Sequence, residues 1–166
     1  MSSSRLLSLR LAAVTLAAFA GCDNTPPPDN RPAGAGSSDP MQDAATELAQ
    51  KSLPHFVQTL QAGAASGASN FSVRLPVVHQ ERVEYLWMSV DALEGDNFKG
   101  RISNDPSLVG NVVKGQAYSV NRSTVADWMY FQNGRMHGNY TARVMLDTMP
   151  PEEASRLRGV MAPLPK

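Results

Sequence analysis

The chain contains one cysteine, Cys22, and this scarcity excludes several classes of protein. With a single thiol, the chain can form neither an internal disulfide nor a zinc site built on cysteine pairs. Long apolar runs are also missing, because the stretch from Leu11 to Ala20 is shorter than the roughly 20 residues that a transmembrane helix needs. We therefore predict a domain without disulfides and without a permanent membrane span.

An excess of positive charge is absent as well. The chain has 15 basic and 15 acidic residues, and removing residues 1–21 takes away Arg5 and Arg10 but no acid, which leaves a net charge of −2. The remaining basic residues form no run and no patch interleaved with aromatic residues. Because a protein that binds a polyanion needs a clustered positive surface, we exclude nucleic acid as a partner.

Familiar catalytic motifs are absent too. There is no Gly-x-Ser-x-Gly motif and no glycine-rich phosphate loop. His55, His79 and His137 are far apart and fall in a predicted helix, a loop and a hairpin, so no spacing predicts a metal site. Met136 beside His137 leaves a soft copper site as an alternative to methionine as core filler. We predict no catalytic residue, no metal and no cofactor.

The N-terminal segment has the three parts of an export signal in their usual order. Arg5 and Arg10 are followed by the apolar stretch 11–20, and then by Gly21 and Cys22. The segment resembles bacterial lipoprotein signals, which implies cleavage after residue 21 and attachment of diacylglycerol and a further acyl chain, such as palmitate, to Cys22. A plain secretory signal with an incidental cysteine remains the alternative.

This resemblance also carries an expectation about location. An aspartate directly after the lipidated cysteine retains lipoproteins at the inner membrane of enterobacteria, and Asp23 occupies that position. We expect a lipid-anchored protein on the periplasmic side of the cell envelope, with the inner membrane favoured over the outer membrane.

Composition divides the chain into three parts. Residues 1–21 are the signal peptide, and residues 22–40 are the lipidated cysteine and a tether rich in Pro, Gly, Ser, Asn and Asp. Such a segment buries too little apolar surface to offset the entropy of ordering, so we predict that it is disordered. Residues 41–166 have the length of a single domain.

Periodicity predicts two helices in this domain. Apolar residues recur at three- or four-residue spacing from Met41 to Leu60, with a start signal at Asp39-Pro40 and a stop at Gly63. Pro54 predicts a kink or a division into two short helices. A second, short helix is predicted after Pro151.

Between these helices the period is two, which predicts strands. The strand 71–77 contains Pro76 and is predicted to lie at a sheet edge. The strand 83–90 is apolar on both faces and is predicted to be central and covered on both sides. A turn at 94–97 forms a hairpin with the strand 98–102, the short strand 117–120 follows, and the strands 128–132 and 140–146 flank a turn at Asn133-Gly134. We predict an α+β fold, in which a kinked N-terminal helix and a short C-terminal helix pack on an antiparallel sheet of five or six strands.

Several short sequence motifs follow one another in this region: Val83-Glu84-Tyr85-Leu86-Trp87-Met88, 98–106, Lys114-Gly115, Asp127-Trp128-Met129-Tyr130, Asn133-Gly134 and Gly138-Asn139-Tyr140-Thr141-Ala142-Arg143. In these motifs and their order, residues 70–147 resemble the YegJ-like bacterial family, a domain of unknown function. The resemblance implies no chemistry and no active site.

One polar cluster is a candidate for function. Asp127 and Arg143 are predicted to meet across paired strands as a charge-assisted pair. An anion or carboxylate pocket would then consist of Arg143, Tyr140 and Asn104 beside Trp128. The alternative, which the pattern favours, is a structural pair that fixes strand register with Trp128 in the core.

We predict from these observations a non-enzymatic, lipid-anchored module that binds an envelope protein or a small ligand. The alternative is a periplasmic enzyme that uses Asp127, His137, Tyr140 and Arg143. We expect contact with the membrane only through the lipid anchor, in addition to the unknown partner.

Overall fold

The structure is a computed structural model that describes residues 40–165. The predicted signal peptide, Cys22 and the tether up to Asp39 lie outside the described residues. The described part contains three α-helices and six strands, with short 3₁₀ turns at Gly63–Ser66 and Arg122–Thr124. In chain order they are α1 (Pro40–Ala62), β1 (Ala68–His79), β2 (Arg82–Glu94), β3 (Asn97–Ile102), β4 (Ala117–Asn121), β5 (Asp127–Gln132), β6 (Arg135–Gly138), α2 (Tyr140–Met145) and α3 (Pro151–Val160).

The six strands form one antiparallel sheet in the order β4-β3-β2-β1-β5-β6. The predicted α+β class is therefore confirmed, with helices at both ends of the described chain. The hairpin at 94–97 was predicted correctly, since Glu94 pairs with Asn97. The turn at Asn133-Gly134 was also predicted correctly, but Gln132 pairs there with Arg135 and not with the predicted strand 140–146. Both residues of that second turn have positive φ, as a type I′ turn requires.

Helix α1 begins at Pro40 and ends before Gly63, which has a φ of 55° and so suits a helix stop. It continues through Pro54 as one helix, so the predicted alternative of two helices is wrong. Its buried side chains follow the helical period: Ala45, Ala49, Leu53 and Phe56. Met41 and Leu48, which the apolar pattern included, are about half exposed. Within residues 40–165, no helix is long and apolar enough to cross a bilayer.

The core lies between α1 and one face of the sheet, which we call the inner face. Val73, Leu86 and Trp128 lie on this face, and each is fully buried. Phe56 of α1 packs edge-on against Phe98 of β3, with 5.6 Å between the ring centroids. Packing of the helix on the sheet therefore spans β5 to β3, and it supplies the apolar burial that stabilises the domain.

Strand β1 lies between β2 and β5, so the prediction that Pro76 marks a sheet edge is wrong. The reason is the stagger of the strands. The carbonyl of Arg74 accepts from Ala126 N and thus points toward β5, and backbone groups of alternate residues point to the same side. The backbone nitrogen of Pro76 therefore also points toward the β5 side. Pro76 lies beyond the last β1–β5 pair, which is at Arg74, so its missing N–H removes no hydrogen bond between the strands.

Strand β2 is central, as predicted, but it is covered on one side only. Leu86 and Met88 are fully buried on the inner face, whereas Tyr85 is 49% exposed on the opposite, outer face. Apolar side chains on both sides of a strand therefore do not indicate two covered faces in this protein.

The segment 140–146 was predicted to be a strand, and the structure corrects this: Tyr140–Met145 is the helix α2, while the hairpin partner of β5 is Arg135–Gly138. The change of direction occurs at Gly138 and Asn139, which have φ values of 76° and 54°. Asn139 also caps the helix, since its side chain accepts from Ala142 N. Two residues in left-handed conformation end the strand and start the helix without a loop.

The β6 edge of the sheet is covered by the segment that follows α3. Beyond β6, Met161 forms a parallel bridge with Met136, and Ala162 N donates to the Met136 carbonyl. Arg135 adds a bond from Nη1 to the Met161 carbonyl, 3.0 Å long. The residues that follow α3 thus cover the β6 edge, which would otherwise be free to pair with another strand.

Candidate functional site

Four of the five residues of the predicted polar cluster come together in the structure. Asp127 and Trp128 open β5, and Tyr140 and Arg143 belong to α2, which packs against β5 and α1. Asn104 lies elsewhere: its Oδ1 accepts from Trp87 N on β2, and β1 separates β2 from β5. The predicted pocket with Asn104 as a wall is therefore not formed.

Asp127 has no exposed surface, and its carboxylate is fully occupied by internal donors. Oδ1 accepts from Trp128 N at 2.8 Å and from Tyr140 N at 3.1 Å. Oδ2 accepts from the backbone N and the hydroxyl of Thr141, at 2.8 and 2.7 Å. The carboxylate therefore joins the start of β5 to the first turn of α2, whose N–H groups have no partner within the helix.

Burial raises the pKa of Asp127 above its usual value, and the hydrogen bonds from Thr141, Tyr140 and Trp128 lower it without cancelling the effect of burial. A buried carboxyl with a raised pKa is often taken as a sign of a catalytic acid or base. Since all four hydrogen bonds of the carboxylate go to the protein itself, the structure gives no support to Asp127 as a general base.

Arg143 does not form the predicted direct pair with Asp127. Its Nε donates to the Gly138 carbonyl at 2.8 Å, and its Nη2 donates to the Ala162 carbonyl at 2.7 Å. The guanidinium thus ties α2 to the end of β6 and to the C-terminal segment. On the sheet, the residue opposite Asp127 is Arg74 of β1.

Trp128 and Tyr140 lie beneath α1 rather than in an open cleft. Trp128 is fully buried, and its Nε1 donates to the Ala49 carbonyl at 2.9 Å. The Tyr140 ring contacts the Trp128 ring edge-on, at 5.6 Å between centroids. Burial raises the pKa of the Tyr140 hydroxyl, and a hydrogen bond with Ser52 lowers it in part. This half of the cluster therefore packs and positions elements.

A second polar group lies beside it and was missed at the sequence level. His55 of α1 and His137 of β6 both contact Tyr130, whose hydroxyl is 2.9 Å from His55 Nε2. The His137 ring stacks on the Tyr130 ring with 4.7 Å between centroids and 6° between planes. The register around Asn133-Gly134 places residues 130 and 137 opposite each other, so this pair could have been read from the hairpin.

The alternative of a copper site at Met136 and His137 finds no support in this geometry. His137 faces Tyr130 on the inner face, so Met136, the preceding residue of the strand, points to the other face. There the Met136 sulfur contacts Asn139 Nδ2 at 3.4 Å. Among residues 40–165, no three side chains of the types His, Cys, Asp and Glu are grouped so that they could hold a metal ion.

Glu84 is a further buried acid that sequence reasoning missed. Its carboxylate accepts from three successive backbone N–H groups, those of Ser107, Leu108 and Val109, and from the Ser107 hydroxyl. Glu84 shares the inner face with Leu86 and Met88, and an acid at an inward position of a strand was the available signal. The contact holds the loop between β3 and β4 against the core.

Burial raises the pKa of Glu84, but the hydrogen bonds from Leu108, Ser107 and Val109 outweigh it, so the pKa lies below its usual value. Ionised Glu84 therefore stabilises the fold above the unfolded-state pKa of 4.5, and this contribution disappears as the pH falls through the lower, folded-state pKa. We expect Glu84→Gln to reduce the free energy of unfolding by about 1–3 kcal/mol at neutral pH.

Urea unfolding of the wild type and the variant at a series of pH values measures this difference. The gap between the two proteins should narrow in acid, where the wild-type carboxyl is protonated as well. A gap that is independent of pH would contradict the assignment. Glu94→Gln is a matched control, because Glu94 lies on the same strand and forms only a 3.9 Å surface pair with Lys99.

The outer face of the sheet carries an exposed apolar area, which we call the outer patch. It lies on the paired strands β1 and β2 and consists of Pro76, Val78, Val83, Tyr85 and Trp87. Val78 is 60% exposed and Tyr85 is 49% exposed. The guanidinium carbon of Arg74 lies 4.8 Å from the Tyr85 ring centroid, so a cation borders the patch.

The comparison with protein families decides the relationship of this chain. A model described as "Uncharacterized protein conserved in bacteria (DUF2314)" matches residues 38–159. The chain belongs to this family. The match includes α1 and almost all of α3, so the family domain corresponds to the described fold.

Two curated relatives are similar to this DUF2314 protein. "Uncharacterized protein YegJ" of Escherichia coli K12 is 32% identical over 154 residues, which are 93% of this chain and 95% of the relative. The "Putative ankyrin repeat protein NMB1133/NMB1171" of Neisseria meningitidis is 30% identical over 73 residues, which are 44% of this chain and 29% of the relative. No solved structure matches this chain.

Proposed function

We propose that this DUF2314 protein is a lipid-anchored binding module on the periplasmic side of the bacterial envelope, with the inner membrane favoured. The N-terminal pattern that ends in Cys22, followed by Asp23, supports the anchor and its location. The Pro- and Gly-rich segment behind it has the composition of a tether that gives a bound domain reach from the membrane surface.

The outer patch is the observation that carries the binding role. Large apolar side chains that adjoin one another on an uncovered sheet face are uncommon on proteins that bind nothing. Tyr85 and Trp87 are of the residue types enriched at binding interfaces. Arg74 over the Tyr85 ring adds a positive charge at the border. The partner that fits is an envelope protein that presents a carboxylate next to an apolar side chain.

The saturated carboxylate of Asp127 supports a binding role over an enzymatic one. Its four hydrogen bonds serve β5 and α2, and nothing in that geometry favours the alternative of an enzyme centred on Asp127, Tyr140 and Arg143.

Crosslinking in living cells tests the role of the outer patch. A photo-reactive phenylalanine analogue is placed at Tyr85 or, as a control, at Lys51, which lies on the exposed side of α1. We expect one adduct of defined mass from position 85 and none from position 51. Val78→Asp in the same chain should abolish the adduct, and it should leave the fold intact because Val78 is largely exposed. Identical adducts from both positions, or none, would reject the outer patch as the binding surface.

The anchor is tested separately in the same strain. We expect the wild type in the membrane fraction with incorporation of a labelled fatty acid, and Cys22→Ser without label. If both proteins fractionate alike and neither carries label, the anchor is refuted, while the crosslinking result still stands on its own.

A further inference from the structure

The group around Tyr130 contains side chains that the binding proposal does not use. His55 lies on α1, Tyr130 on β5, His137 on β6 and Arg143 on α2, so four elements converge here. His55 and His137 are both partly exposed, whereas Tyr130 is buried. Polar side chains from four elements therefore meet at the margin of the core, where the two imidazoles reach solvent.

The contacts leave hydrogen-bond donors unused. Tyr130 and His55 bond each other, but within residues 40–165 the ring nitrogens of His137 have no hydrogen-bond partner. Arg143 spends two donors on the Gly138 and Ala162 carbonyls, and a guanidinium has five. These two bonds fix the position of the guanidinium, so its remaining donors are held in place without a further loss of side-chain entropy.

The charges in this group repel one another. Burial lowers the pKa of His137, and the positive charges of His55 and Arg143 lower it further. The titratable groups that face this site are His55 from α1, Tyr130 and Asp127 from β5, His137 itself, and Tyr140 and Arg143 from α2. The one acid in this set, Asp127, is bonded to backbone N–H groups and Thr141 and contacts neither imidazole.

We propose that His55, Tyr130, His137 and Arg143 form a binding site for a phosphate group. An arginine and two imidazoles supply up to three positive charges, which suits a doubly charged tetrahedral oxyanion better than a single carboxylate. Tyr130 positions the His55 imidazole through the bond to its hydroxyl. The phosphate is either free inorganic phosphate or the headgroup of an anionic lipid. The site lies on the inner side of the sheet and does not depend on the outer patch.

The test is an NMR titration of the histidine side chains in the full chain, purified in detergent micelles. Inorganic phosphate is compared with sodium chloride at equal ionic strength. Bound phosphate should raise the pKa of His137 by about half a unit or more, because it stabilises the imidazolium. His55 should shift in the same direction. His79 is the internal reference, because it lies at the end of β1 and outside the group around Tyr130. Its signals should not respond to phosphate.

Two variants and two further ligands complete the test. His137→Gln should weaken phosphate binding roughly tenfold, and His55→Gln, which can keep a bond to Tyr130, gives a second measurement if the first variant does not fold. A short-chain phosphatidic acid that binds more tightly than phosphate assigns the lipid source, and equal or weaker binding assigns free phosphate. Acetate that binds as tightly as phosphate, or equal shifts of all three histidines, would overturn the proposal.

Discussion

Replacing Asp127 by alanine is expected to reduce the free energy of unfolding by about 3–5 kcal/mol, because several buried donors lose their acceptor at about 1–3 kcal/mol each. The backbone N–H groups of Tyr140 and Thr141 and the Thr141 hydroxyl would lose their acceptor inside the protein. Each buried donor without a partner carries a desolvation cost. The first turn of α2 should therefore detach from β5.

Asparagine at position 127 should cost less, about 1–3 kcal/mol. It keeps one acceptor oxygen, but its amide group would face the Thr141 N–H, donor against donor. Asp105→Ala is the control, because Asp105 is exposed and forms only a 3.5 Å surface pair with Lys114. Urea unfolding followed by tryptophan fluorescence reports all three values. An Asp127→Ala protein as stable as the control would show that the carboxylate does not hold α2.

The pH dependence provides a second check on Asp127. Because its pKa is raised in the folded protein, ionisation of this group opposes folding, and its contribution becomes less favourable as the pH rises from the unfolded-state pKa of 3.8 through the folded-state value. Glu84 has the opposite sign, since its pKa is lowered. Asp127→Asn and Glu84→Gln should therefore change the acid limb of the stability curve in opposite directions.

Gly138→Ala is the second change with a large expected effect. A Cβ at this position would lie 2.2 Å from the Trp128 carbonyl oxygen and 2.5 Å from Cε3 of its ring, and the backbone has a φ of 76°. Neither contact is with the end of a flexible side chain, so β5 and β6 would have to separate. We expect a loss of about 3 kcal/mol or more, from left-handed strain together with overpacking.

Gly134→Ala isolates the cause of this loss. Gly134 has a nearly equal φ of 72°, but a Cβ there would meet no atom within 4 Å. Its expected cost is about 1–2 kcal/mol, the strain of a left-handed alanine alone. The difference between the two variants, measured by urea unfolding, is the contribution of the close approach to Trp128. Equal losses would mean that backbone conformation, and not contact, requires glycine at position 138.

Local signals in the sequence were sufficient for much of the sheet. The alternation in β1 to β3, the Asn133-Gly134 turn and the Pro40 helix start each act within a few residues, so their effect can be predicted without knowing the rest of the fold. The edge position assigned to β1 failed because the cost of Pro76 depends on where β5 ends, which is a property of another part of the chain.

The candidate site was predicted only in part for a related reason. Tyr140 to Met145 alternates well enough to resemble a strand, but Asn139 caps it and Asp127 binds its first turn from thirteen residues away. A helix of six residues is unstable by itself, so the tertiary contact determines its conformation. The pairing of His55 with Tyr130 joins residues 75 positions apart, and no local pattern encodes it.

The cover of the β6 edge by Met161 and Ala162 also has a consequence for biosynthesis. These residues follow every helix and strand of the described residues 40–165, so the bonds from Arg135 and Arg143 to this segment form only after it has been made. A growing chain therefore keeps one sheet edge open and α2 incompletely attached until this segment has been made. For a protein exported as an unfolded chain, as proposed here, such a delay leaves time for the secretion machinery to capture it before it folds.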